Sequence, residues 1–443
     1  MHVENARAIW ARHPRERSLR PAAPPAVAVL SKADRCGGGA SLIAETTAEL
    51  LAAAGCPTTH WVSWHGPTPA GRVRLLGGHW LNRVVRRLHW IARHAGLPDL
   101  VPWEYPLLRR RLAGCDVAHF HDISSAFSPL TVRWVARRMP TVWTFHDCSP
   151  FTGGCLYPFE CVAFSRCCGR CPQLDRWPLG GRLRLDFTGR LQALKRATAA
   201  EGRFVPVAPS NWMADEALRS GMFAARPQVI PYPVDNATFR PRPRAEVRRE
   251  LGLPPEGFWV LISAGSLADP RKGVPLAVEA LRRCGRPVAA LLVGRAAAGL
   301  RAELPGIACR AAGFVTQPAE LARWYAAADV LLFPSLADNL PCTIQETMAA
   351  GTPTIGFCVG GVPDLVEHGV TGHLSPPGDV LGLTVGLQLA YDRPELLAGW
   401  ADEGRRRAVA RYGAHQYVQS HLDLYAELMR REDYVHRPDH ANA

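Results

Sequence analysis

The run Pro334–Gly351 (PSLADNLPCTIQETMAAG) concentrates residue types that could handle a phosphorylated ligand. An apolar strand ends at Pro334 and a loop then carries Asp338 and Asn339. Pro341 suits the first turn of a following helix, where its missing N–H costs nothing, and Gly351 with Pro353 closes that helix. A helix start placed just after a strand end offers N–H groups and the positive end of a dipole, which suits a diphosphate. Glu346 lies among small apolar residues, where an unpaired carboxylate is costly. It needs a partner, either ligand hydroxyls or groups of the protein. A second segment, Ser263–Gly273 (SAGSLADPRKG), puts Arg271 and Lys272 in a loop between a strand and a helix. Such a loop could neutralise a departing diphosphate, or it could be a solvated turn.

Three further constellations lie in the N-terminal half. Gly37, Gly38 and Gly39 separate a first strand from a first helix, and a backbone without side chains can approach a phosphate. His146 ends the strand Thr141–Phe145, at the edge where sites form in α/β sheets; His119 and His121 end the preceding strand, and position favours His146 over both. The thiols Cys155, Cys161, Cys168 and Cys171, with Cys148 and Cys167 nearby, include a Cys-x2-Cys half-site. Four such thiolates could hold a structural zinc ion; reduced packed thiols or a disulfide are the alternatives.

The elements that must position these residues alternate between strand and helix, which predicts α/β architecture with parallel sheets. Ala26–Leu30, Val117–Phe120, Thr141–Phe145 and Phe204–Val207 form one series of buried strands. Trp259–Ala264, Ala289–Val293, Asp329–Phe333 and Thr354–Phe357 form a second. The Pro/Arg-rich stretch Asn236–Arg244 is the expected linker between two Rossmann-like domains facing across a cleft. The expected boundaries are residues 26–235 for the first domain, with a cysteine-rich insertion over 148–174, and 236–395 for the second. C-terminal helices over 396–443 are expected to pack back on the first domain. Residues 1–25 carry Arg7, Arg12, Arg15, Arg17 and Arg20 without an apolar core, so they read as an unfolded leader and not a signal peptide.

At 443 residues, 47% hydrophobic and 21% charged, the chain is globular, and it has no apolar run of membrane-spanning length. Its net charge of +13 suits nucleic acid, an anionic membrane face or phosphorylated substrates, though arginine-rich composition alone selects none of them. Within Trp64–Arg111, Arg83, Arg86, Arg87 and Arg93 interleave with Leu81, Val84, Val85, Leu88, Trp90 and Ile91. That is a basic amphipathic helix, which would either meet a membrane surface or bury its apolar face on the first sheet. A nucleic-acid-binding zinc ribbon would need recognition residues beside the cysteines, of which Pro172–Trp177 offers few.

Taken together, Ala328–Ser335, Glu346-x-Met348-Ala349-x-Gly351-Thr352-Pro353, Gly360–Val366, Gly369–Gly372 and Ser375–Asp379 resemble the donor-site signature of the retaining glycosyltransferases of family 4. The resemblance covers nearly all of residues 255–380 and implies the GT-B fold. It also implies a hexosyltransferase that uses a UDP- or GDP-sugar, needs no metal for catalysis and keeps the anomeric configuration. The family's two acidic residues separated by seven correspond to Asp338, near the donor sugar, and Glu346, on the donor ribose. The resemblance further implies that Asn339, Leu340 and Pro341 face sugar and phosphate. Lys272 and Arg271 would face the diphosphate, with Gly38 and Gly39 opposite it and His146 near the reacting carbon. Two positions depart from the pattern: Asp338 stands where Glu is usual, and Ser266 where the family has arginine. The stretch from His146 to Leu174 resembles an insertion in bacterial exopolysaccharide enzymes of the colanic-acid type, which implies a glycan or lipid-linked acceptor. A cytoplasmic protein, peripheral at the membrane and without nucleic acid as a partner, is the matching expectation. The departures also allow a catalytically weakened partner subunit.

Overall fold

The computed structural model describes residues 24–67, 69–94, 99–124, 126–176, 178–179 and 185–431. Residues 1–23 of the expected leader and residues 432–443 of the C-terminal segment lie outside these. The chain divides into two units: residues 1–230 with 417–443, and residues 231–416.

Among the described residues the first unit holds seven strands: β1 (Val27–Ala33), β2 (Thr58–Trp64), β3 (Val73–Leu75), β4 (Val117–Phe120), β5 (Thr141–Thr144), β6 (Val205–Ala208) and β7 (Gln228–Val229). They form one sheet in the order β3-β2-β1-β4-β5-β6-β7, with every pair parallel. Its helices are α1 (Gly39–Ala53), α2 (Gly78–His94), α3 (Tyr105–Arg111), α4 (Pro129–Ala136), α5 (Thr188–Ala200) and α6 (Asn211–Arg219). Central strands β4 and β5 are buried at every residue, as expected of a parallel sheet covered on both faces. Phe120, Phe127, Trp143, Phe145 and Phe151 fill the core beside them.

The second unit repeats the plan with β8 (Phe258–Ser266), β9 (Val288–Arg295), β10 (Ala308–Gly313), β11 (Val330–Phe333), β12 (Thr354–Phe357) and β13 (Gly372–Ser375). Their order is β10-β9-β8-β11-β12-β13, again all parallel. The helices are α7 (Arg244–Glu250), α8 (Val274–Arg283), α9 (Ala297–Leu300), α10 (Pro318–Ala327), α11 (Cys342–Ala349), α12 (Val362–Leu365), α13 (Val380–Asp392) and α14 (Pro394–Arg411). Both sheets reverse their strand order once, at β1/β4 and at β8/β11, and loops leaving the strands' carboxyl ends at such a point diverge to leave room for a ligand.

Two boundary expectations differ from the structure. Asn236–Arg244 is not a free linker, because Arg244 donates to the carbonyls of Ala328 (3.0 Å) and Gly351 (3.2 Å), and Arg405 to that of Phe239 (2.9 Å). These bonds fasten the stretch into the second unit. The C-terminal helices also do not pack back as a block. In α14, Trp400 donates to the Gly369 carbonyl (3.0 Å) and Arg405 to that of Ala349 (2.7 Å), which keeps the helix in the second unit. From Tyr417 onward, the last helix α15 (Ala414–Met429) belongs to the first unit. There Tyr417 shares a hydrogen bond with Thr47 (2.6 Å) and Tyr425 with His119 (2.7 Å).

Candidate functional site

In the second unit, charges gather where β8 and β11 end. The chain leaves β8 through a short 3-10 turn, Pro270–Lys272, whose start is capped by the Asp269 side chain. Lys272 Nζ lies 2.6 Å from Asp338 Oδ2, and Arg271 reaches both the Ala337 carbonyl (2.7 Å) and Asp338 Oδ2 (3.4 Å). Ser335 donates to the same oxygen (3.2 Å). Burial pushes the Asp338 carboxyl up, but Lys272 and Arg271 outweigh it and hold the group below its ordinary range. Ser266 contributes no charge at the end of β8.

Two glycines let this loop exist. Gly273 sits at φ 62°, and a Cβ there would meet the Pro334 carbonyl oxygen at 2.0 Å. Gly360 sits at φ 54°, and a Cβ there would meet the Asp338 carbonyl oxygen at 1.7 Å. Both combine a left-handed backbone with contact against the chain, so any side chain would displace residues 334–338. The Gly361 N–H then donates to the Asp338 carbonyl (3.2 Å).

The helix behind the loop, α11, begins at Cys342, so Pro341 is its N-cap and not its first helical residue, with φ −68° and an extended ψ of 113°. No side chain caps this end. Asn339 and Leu340 are buried beneath it. Glu346, on the same helix, has a protein partner that sequence reasoning did not name: it accepts a hydrogen bond from the Tyr325 hydroxyl on α10. Burial pushes its carboxyl up to about 8, against the lowering effect of that bond.

The first unit builds a different cluster at its own reversal point. Gly38, at φ 105°, is the N-cap of α1 and Gly39 its first residue; a Cβ at either would meet nothing within 4 Å. His146 follows β5, its Nε2 lying 2.9 Å from His121 Nδ1 with the rings stacked. Burial lowers His146 to about 4, while Asp122 pulls the other way. Asp147 is pushed up to about 6 by burial and by Asp122, which is paired with Lys32 at 2.7 Å. His119 is structural, held by Tyr425 (2.7 Å) and Thr144 (2.8 Å). His121, set aside on sequence grounds, is instead the direct neighbour of His146.

Cys155, Cys161, Cys168 and Cys171 are all free thiols. Among the described residues no group of three or more His, Cys, Asp or Glu is arranged to hold a metal ion. Other groups fasten the segment. Lys195 donates to the carbonyls of Ser149 (2.6 Å) and Thr152 (3.2 Å), and Gln192 accepts from the Cys168 N–H (2.6 Å) and donates to the Phe164 carbonyl (2.6 Å).

Two family models match this chain: Glycosyltransferase Family 4 over residues 37–238, and Glycosyl transferases group 1 over residues 259–391. The chain carries glycosyltransferase family 4 and group 1 domains. The charge cluster at Asp338 and the helix bearing Glu346 fall in the group 1 domain; the glycine loop and His146 fall in the family 4 domain. A D-inositol 3-phosphate glycosyltransferase of Thermobispora bispora is 34% identical over 218 residues, which are 45% of this chain and 49% of that one. The match thus spans about half of that relative's length. Relatives of this kind do not carry the finer expectation of an exopolysaccharide type.

Among solved structures, sucrose-phosphate synthase of Thermosynechococcus elongatus superposes with a TM-score of 0.67 at 20% identity, covering 91% of this chain and 99% of that one. HepE of Anabaena in complex with UDP-glucose gives 0.63 at 18% identity, covering 91% and 100%. At these identities the likeness is one of fold, and it is the expected GT-B class: two Rossmann-like units with parallel sheets and a helical C-terminus. No helix among the described residues is long and apolar enough to cross a membrane.

Proposed function

We propose that this chain is a glycosyltransferase that moves a hexosyl group from a nucleotide sugar to an acceptor hydroxyl with retention of configuration. The observation that carries the reading is the pair of cations, Lys272 and Arg271, drawn onto Asp338 at the reversal point of the group 1 domain. Cations held there by an internal carboxylate are pre-positioned for a diphosphate, and electrostatic stabilisation of a leaving phosphate needs groups already in place. UDP is the first choice of nucleotide, because the fold neighbour HepE was solved with UDP-glucose.

In the proposed step the acceptor oxygen bonds to the anomeric carbon as the bond from that carbon to the diphosphate oxygen breaks. The electron pair leaves with the nucleoside diphosphate, and the acceptor proton passes to the departing phosphate on the same face. Lys272 and Arg271 take up the developing charge. Asp338, released from part of its pairing, holds a sugar hydroxyl, and Glu346 holds the ribose. Gly38, Gly39 and His146 are the proposed substrate contacts of the family 4 domain. A lipid-linked glycan and a phosphorylated polyol are the two acceptor classes to compare, the second because a relative is named for D-inositol 3-phosphate.

The test is release of nucleoside diphosphate from radiolabelled UDP- and GDP-hexoses with each acceptor class, repeated with Lys272→Ala and Glu346→Gln. Acceptor-dependent release that both substitutions abolish is expected. Turnover unchanged in both variants would sink the site, and no turnover with any donor would favour a non-catalytic partner subunit.

A further inference from the structure

Helix α2 leaves large apolar side chains in solvent while burying polar ones. The side chains it buries are Asn82, Val85 and His89, two of them polar. Asn82 donates to the Ser63 carbonyl (3.0 Å) and accepts from the Gly77 N–H (2.7 Å), while His89 meets Glu104 at 3.3 Å. The opposite face carries Trp80, 75% exposed, Trp90, 53% exposed, and Ile91, 55% exposed. At 3.6 residues per turn, positions 80, 83, 87, 90, 91 and 94 fall on one stripe, so Arg83 and Arg87 stand in line with the two tryptophans. Leu81, Val84 and Leu88 flank the stripe half-buried. The helix was expected either to bury its apolar face or to show it to a membrane; it buries Val85 with two polar residues, half-buries Leu81, Val84 and Leu88, and leaves Trp80, Trp90 and Ile91 exposed.

The charge of this region has one sign. Gly78–His94 contains four arginines and no acid, and α3 ends in the exposed Arg109, Arg110 and Arg111. The two acids between residues 78 and 111 turn away: Glu104 is buried on Ser128 and Thr131, and Asp99 is half-buried near His89. An open groove of about 560 Å³, lined by Trp61, Arg74, His79 and Arg111 among others, adjoins the start of α2.

We propose that the outer face of α2 docks this chain on an anionic lipid bilayer, with Trp80, Trp90 and Ile91 at headgroup depth and the arginines on lipid phosphates. Indole and guanidinium side by side suit the boundary between headgroups and acyl chains, where both the apolar ring and the charge are satisfied. A second copy is disfavoured because a two-fold contact would set Arg83 and Arg87 against their own images. Nucleic acid offers no apolar phase for Ile91 and the flanking leucines. Docking does not depend on the transferase reading.

The experiment is flotation of the full chain with phosphatidylcholine vesicles containing about 30% phosphatidylglycerol, against pure phosphatidylcholine, at low and at physiological salt. Association with the anionic vesicles, weakened by salt, is expected. Arg83→Gln with Arg87→Gln should weaken it about 25-fold, at about fivefold per charge. Trp80→Ser with Trp90→Ser should weaken it at least about tenfold. All four side chains face outward, so unchanged thermal midpoints should confirm that the variants fold. Brominated lipid should quench the tryptophan fluorescence of the unsubstituted chain, which reads insertion without any variant. Three results would each overturn the proposal: no anionic-vesicle binding, binding untouched by the tryptophan changes, or oligonucleotide binding that competes fully with vesicles.

Discussion

In the first unit, β4 and β5 end in His121, His146 and Asp147; in the second, β8 and β11 end in a loop bearing Lys272 and in Asp338. Topology and position in the sheet are alike, yet the chemistry is opposed. The histidines of the first cluster are kept neutral by burial, His121 lowered and His146 at about 4. The second keeps its charge, because Lys272 and Arg271 offset the burial of Asp338. A Rossmann-like edge thus sets where a site can form, and the balance of burial against pairing sets what the site can do. Neutral imidazoles can hydrogen-bond a neutral ligand group near neutral pH, whereas an ion-paired edge is suited to exchanging one anion for another.

The largest expected effect comes from breaking the charged edge. Lys272→Ala should lower kcat/KM for the donor about 1000-fold in steady-state turnover. It also leaves Asp338 buried with less compensation, so Lys272→Ala with Asp338→Asn should regain melting temperature without regaining activity. Gly360→Ala tests the loop's support. The left-handed backbone and the clash with the Asp338 carbonyl together should cost about 3 kcal/mol, seen as a fall of roughly 6–12 °C in the second unit's melting transition.

The pH responses sharpen the contrast. Lowered histidines mean that the unfolded first unit binds more protons, so the stability they supply is complete above about 6.5 and is lost as the pH falls toward 4. Glu346, raised to about 8, works the other way: the folded second unit holds the proton, and stability is lost as the pH rises from about 4.5 through 8. Hydrogen exchange resolved by unit should show the histidine cluster loosening in acid and the α11 region in base. Glu346→Gln should remove the second effect alone. The smallest expected change is from Ser266→Arg, which adds a cation at the end of β8 and should tighten donor binding about threefold by titration calorimetry.

Much of the fold is legible because central parallel strands are short, fully buried apolar runs. Val117–Phe120 and Thr354–Phe357 coincide with β4 and β12. β2 (TTHWVSW) is less legible because it buries His60 and Ser63 and so breaks the apolar run. The edge strands β3 and β7 are too short to show a period. Proline and arginine in Asn236–Arg244 look like a linker, because sequence does not show that Arg244 has carbonyls to reach. At the sites, positions could be named but partners could not. Lys272 and Asp338 lie 66 residues apart, and His121 and His146 lie 25 apart on neighbouring strands. Glu346 visibly needed a partner, but nothing in the spacing singles out Tyr325. For α2, periodicity gives two faces without saying which one turns inward, and the hydrogen bonds of Asn82 decide it.

Donor binding by isothermal titration tests the central claim most directly. UDP-glucose, GDP-mannose and ADP-glucose would be titrated into the unsubstituted chain, Lys272→Ala, and Lys272→Ala with Asp338→Asn. The account predicts saturable binding of at least one nucleotide sugar, weakened by ten-fold or more in both variants, because the diphosphate loses one of its two cations whether or not Asp338 remains. Equal affinity in all three proteins, or binding restored when Asp338→Asn is added to Lys272→Ala, would contradict it.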